Sequence, residues 1–123
     1  MKKNFVTALL AGALSLTATS AVAQVGGLSR ETVQEYVTQA LKHANEALAH
    51  AQQGDAPKTA EHARAASAQA DEAAATENAG MDIEQAQNRL TTAINAADKG
   101  DAAGAVAPLQ ESVTLFTGAL NKL

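Results

Sequence analysis

The 123-residue chain contains no cysteine, no tryptophan, two prolines, one tyrosine and two phenylalanines. Without cysteine there is no disulfide, no thiolate metal site and no C-x-x-C-H haem attachment, so stability rests on packing alone. The scarcity of aromatics leaves alanine and aliphatic side chains to build the interior. Alanine suits helices and lets them approach closely, but each residue buries little apolar area. Cations are also scarce: nine Lys and Arg face thirteen Asp and Glu, for a net charge of −4. That balance argues against nucleic acid or an anionic membrane as partner and favours cations. Long hydrophobic runs are missing too. The stretch Phe5 to Leu16 is broken by Thr7 and Ser15 and is too short to span a bilayer comfortably.

That stretch reads as the core of an export signal. Lys2 and Lys3 precede it, and Ala21-Val22-Ala23 follows as an A-x-A-type cleavage site. The expectation is a signal peptide over 1–23, cleaved after Ala23, and one periplasmic helical domain over 24–123 with no membrane anchor. Loss of the leader removes two lysines and leaves a net charge of −6.

Periodicity and punctuation predict an all-α protein, an antiparallel four-helix bundle made of two duplicated αα-hairpins over about 30–77 and 82–120. The first helix, about Arg30 to Gln53, has Ser29 or Thr32 as its cap and a seam of Val33, Val37, Ala40, Ala44, Ala47 and Ala51. Gly54 ends it and Asp55 caps the second helix, which tolerates Pro57 in its first turn. The second runs to about Glu77 on Ala56, Ala60, Ala63, Ser67, Ala70 and Ala74. The third, about Asp82 to Lys99, uses Ile83, Ala86, Leu90, Ala93, Ile94 and Ala97, with Met81 packing at its start. The fourth, about Ala102 to Leu120, uses Val106, Leu109, Val113, Phe116 and Leu120, with a kink or restart expected at Pro108. Gly100-Asp101 repeats Gly54-Asp55 at an offset of 46 residues, the signature of an internal duplication.

Chemistry concentrates in three histidines, all in the first hairpin: His43, His50 and His62. His43 and His50 share one edge of the first helix with Tyr36, which reads as core filler, and Glu46 lies between them. Seven residues separate the two by about 10 Å along the axis, too far for one ion with ligands at about 2 Å. His62 on the second helix is the residue that completes a set. Two groupings are open, His50–Glu46–His62 and His43–Glu46–His62, each offering two imidazoles and a carboxylate to a divalent transition metal such as Cu, Ni or Zn. The other acids, Asp71, Glu72 and Glu77, read as a solvated face. No serine or threonine has a base and an orienting partner, no Glu-x-x-His pair recurs on two helices, and no phosphate loop opens a helix, so no enzyme is expected.

The phrase Lys42-His43-Ala44, Glu46-Ala47, His50-Ala51, Gly54, Glu61-His62-Ala63 resembles the small metal-binding protein family of bacterial periplasms. The resemblance implies a short exported bundle of helical hairpins that binds divalent transition metals, copper among them, for buffering or scavenging. It carries over His43, His50 and His62 as metal positions. Asp55 and Gln69 stand where further imidazoles would be expected, and the second half has none. The competing expectation is a metal-independent bundle serving as a stress or protein-interaction module.

Overall fold

The computed structural model describes residues 29–76 and 80–123. The expected signal peptide and Glu77 lie outside the described residues. Within these described residues four helices follow one another: α1 Arg30–Gln52, α2 Ala56–Ala74, α3 Gly80–Asp98 and α4 Ala102–Lys122. Among the described residues there are no strands. None of these four helices is long and apolar enough to cross a membrane.

The ends of the helices follow local chemistry. Ser29, not Thr32, caps α1, its hydroxyl accepting the Thr32 N–H at 3.2 Å. Asp55 caps α2 through the Lys58 N–H, and Asp101 caps α4 through the Gly104 N–H at 2.8 Å. Between α1 and α2, Gly54 takes φ +81°, a left-handed conformation that costs glycine nothing. The Asp55 N–H then reaches the His50 carbonyl at 2.9 Å and the Gly54 N–H reaches that of Ala51 at 3.1 Å. These two bonds form a Schellman closure. Between α3 and α4 the same pair recurs, with Gly100 at φ +82° and Asp101 and Gly100 bonded to Ala96 and Ala97.

Each helix packs against two neighbours: α1 against α2 and α4, and α3 against α2 and α4. The diagonal pairs barely touch, so the four form a bundle around one core. Its largest fully buried side chains are Phe116, Ile83, Leu90, Leu109, Val33 and Val37. The rest is chiefly alanine, which allows close helix approach. Two buried hydroxyls are satisfied: Thr59 donates to the Asp55 carbonyl at 2.7 Å, and Ser112 to that of Ala86 at 3.2 Å. Burial therefore leaves neither unpaired.

The seams of α1 and α3 lie where periodicity put them, except that Ile94 is only partly buried. Those of α2 and α4 are rotated. In α2, Ala66 and Ala73 are buried in place of Ser67 and Ala74. In α4, Leu109 and Phe116 are buried as expected, but Ala105, Ser112 and Ala119 join them, while Val106, Val113 and Leu120 pack partly buried at the flank. α2 also stops at Ala74, short of the expected Glu77, with Ala75 as its C-cap.

One further expectation is narrowed and another corrected. Of the kink or restart expected at Pro108, the restart does not occur: α4 runs from Ala102 to Lys122 through that residue. The ring costs one backbone hydrogen bond, and Pro108 is itself buried on the inward side of the helix with Ala105, Leu109 and Ser112. Met81 does not pack; it is 72% exposed. It precedes the buried Ile83 by two residues, about 200° around a helix, and so faces the opposite side.

Candidate metal centre

Glu46 is the hub of the first hairpin. It follows His43 by three residues on α1, a spacing that places both side chains on one face. The His43 Nδ1–H donates to Glu46 Oε1 at 3.1 Å. From α2, His62 brings its Nδ1 to 3.3 Å from the same oxygen. The donor atoms of His43, Glu46 and His62 all lie within 4.8 Å of one another. Among the described residues this is the group of three or more His, Cys, Asp or Glu donors that converges in this way.

The three side chains sit at a half-buried edge, with His43 27%, Glu46 41% and His62 24% exposed. An ion can reach them from solvent, and water can fill the positions they leave. Ligands about 2 Å from one ion stand roughly 2.9–3.3 Å apart at square or tetrahedral angles. The two nitrogen–oxygen contacts already have that length. The donor set, two imidazoles and a carboxylate, suits Cu(II), Ni(II) or Zn(II) and contains no sulfur to favour a softer ion.

His50 lies close by but outside this group. Its ring is stacked on that of His62, with centroids 5.0 Å apart and planes at 8°. On its other side His62 faces His43, at 6.2 Å and 26°. The His62 ring thus lies between two rings of α1. His50 Nδ1 is turned toward the α1–α2 turn, 4.0 Å from Asp55 Oδ2. That exceeds hydrogen-bond reach, and the buried nitrogen has no protein partner. Of the two groupings open at the sequence level, the structure assembles His43–Glu46–His62. The stack escaped sequence reasoning, although its signal was present in two histidines two turns apart with a third entering from the next helix.

Tyr36 packs against the core, as expected of a filler. Asp71 and Glu72 are exposed, and Asp71 accepts a hydrogen bond from Gln87 of α3. The second hairpin has no counterpart of the centre. At the offset of 46 residues, Arg89, Thr92, Ala96 and Pro108 replace His43, Glu46, His50 and His62, and Arg89 pairs with Glu111 at 3.0 Å.

Comparison with known proteins leads to the same chemistry. No curated protein matches the chain. The family model described as small metal-binding protein matches residues 2–118, nearly the whole length and including the converging donors. The chain belongs to the small metal-binding protein family.

Proposed function

We propose that this protein binds one divalent transition ion, Cu(II), Ni(II) or Zn(II), on His43 Nδ1, Glu46 Oε1 and His62 Nδ1. In this reading it buffers or scavenges that ion in the periplasm after cleavage of residues 1–23. The carrying observation is the pair of imidazole nitrogens, 3.1 and 3.3 Å from one carboxylate oxygen, on two different helices. Binding requires that both imidazole nitrogens be free of protons, since only the neutral ring coordinates. The net negative charge of the chain supports cation uptake.

The proposal extends to the scaffold, an antiparallel bundle descended from one duplicated hairpin. Its support is the 46-residue offset. Shifted by it, the buried α1 residues Val37, Ala40, Ala44, Ala47 and Ala51 fall on Ile83, Ala86, Leu90, Ala93 and Ala97, all buried. In α2, Ala56, Thr59, Ala63, Ala66, Ala70 and Ala73 fall likewise on buried residues of α4. The ligands occupy only the first copy, so one ion per chain is expected.

Calorimetric titration with each ion at neutral pH tests the site. Wild type should take up one equivalent, and Glu46→Gln, which keeps the shape but removes the charge, should weaken binding by roughly tenfold or more. Unchanged affinity in E46Q would remove the hub from the site. No uptake of any of the three ions would leave a metal-independent bundle.

A further inference from the structure

The geometry points to His50 as the residue that positions His62 for the ion without binding the ion itself. This rests on the proposed His43–Glu46–His62 site and deepens it.

His43 and His50 are two helical turns apart, about 10 Å along the axis. The His62 ring enters from α2 and fills that gap, nearly parallel to His50 at 5.0 Å and inclined by 26° to His43 at 6.2 Å. Both spacings fall in the range where flat rings pack on one another. The His50 face is the nearer and the more nearly parallel of the two. Its backbone is anchored in the Schellman closure, its carbonyl accepting the N–H groups of Asp55 at 2.9 Å and Gln53 at 3.1 Å. A ring resting on that floor cannot rotate freely. His62 therefore keeps its Nδ1 3.3 Å from Glu46 Oε1 before any ion arrives. An imidazole free to turn would lose that freedom on binding, at a cost in affinity that a held ring avoids.

His50 is badly placed to be a ligand. Its Nδ1 is buried and turned to Asp55, and neither of its nitrogens joins the converging donors. To coordinate, it would have to leave the stack and release His62. What His50 contributes is a flat face, and a phenyl ring supplies a flat face without a nitrogen.

The test uses the purified protein, its His50→Ala and His50→Phe variants, and Cu(II) chloride. Affinity is measured by calorimetry, and coordinated nitrogens by the superhyperfine pattern in the electron paramagnetic resonance spectrum at one equivalent. His50 is 30% exposed, so both variants should fold, and circular dichroism checks this. Positioning predicts that H50A weakens binding by roughly tenfold, the lower end of what removing an orienting neighbour costs. H50F should recover most of that loss, and all three proteins should show the same two imidazole nitrogens. Wild-type affinity in H50A, or an H50F as weak as H50A, overturns the inference. A nitrogen missing from the H50F spectrum overturns it as well and makes His50 a ligand. Failure of the site itself reads differently, as a wild-type spectrum without imidazole nitrogens.

Discussion

An ion held by His43 and Glu46 on α1 and His62 on α2 ties the two helices together. Its loss from one side should therefore be legible as stability. Binding to the folded form stabilises it by RT ln(1 + [L]/Kd), about 2.7 kcal/mol when the free ion is at a hundredfold its dissociation constant. For a domain of about a hundred residues, each kcal/mol moves the melting midpoint by roughly 4–8 °C, so metal should raise the wild-type midpoint by roughly 10–20 °C. His62→Ala leaves His43 and Glu46 in place, three residues apart on one helix. These two can hold an ion without linking α1 to α2. If the lost imidazole weakens binding about a hundredfold, the same ion concentration contributes only about 0.4 kcal/mol, a shift of roughly 2–3 °C. Melts of wild type and H62A followed by circular dichroism at 222 nm, with and without Cu(II), decide the matter. A metal-induced shift as large in H62A as in wild type would refute the bridge across the hairpin. A wild-type midpoint that metal leaves unmoved, with binding still detected by calorimetry, would refute it equally.

Affinity for Cu(II) should fall steadily from pH 7.5 to pH 5, because protons compete with the ion for imidazole nitrogen; a dissociation constant flat over that interval would place the ion elsewhere. Gly54→Ala and Gly100→Ala should each cost about 1–2 kcal/mol in denaturant unfolding, since both hold left-handed φ with nothing within 4 Å of an added Cβ, and the cost is then that of the backbone alone. Phe116→Ala removes the largest fully buried side chain and should cost about 3–5 kcal/mol, enough to unfold much of so alanine-rich a bundle at 37 °C.

The positions of the helices were legible because their punctuation is local. Ser29, Asp55 and Asp101 cap through their own side chains, and Gly54 and Gly100 supply left-handed turns whatever lies beyond them. The inward faces of α1 and α3 were equally legible, because Val33, Val37, Ile83 and Leu90 each mark one side of a helix otherwise rich in alanine and polar residues. The chain also carried the three imidazoles and the hub acid in its first hairpin, with a spacing that forbade His43 and His50 from sharing an ion.

Tertiary structure alone decided how α2 and α4 are turned about their axes. Alanine occupies adjacent positions at Ala65-Ala66 and Ala73-Ala74, so hydrophobicity does not distinguish one face of α2 from the next. In α4, Val106, Val113 and Leu120 outrank Ala105, Ser112 and Ala119 in apolar character, yet the smaller set goes inside. What sets the rotation is how closely helices can approach, a property of pairs of surfaces that no single segment contains. The same rotation determines where His62 enters along α1. It slides between the two α1 imidazoles, putting Nδ1 against Glu46 beside His43 and its ring against His50. Residue types and spacing on α1 therefore named the candidates, and the packing of an alanine helix chose which of them meet, because a ligand set spanning two helices depends on an angle that the sequence of neither encodes.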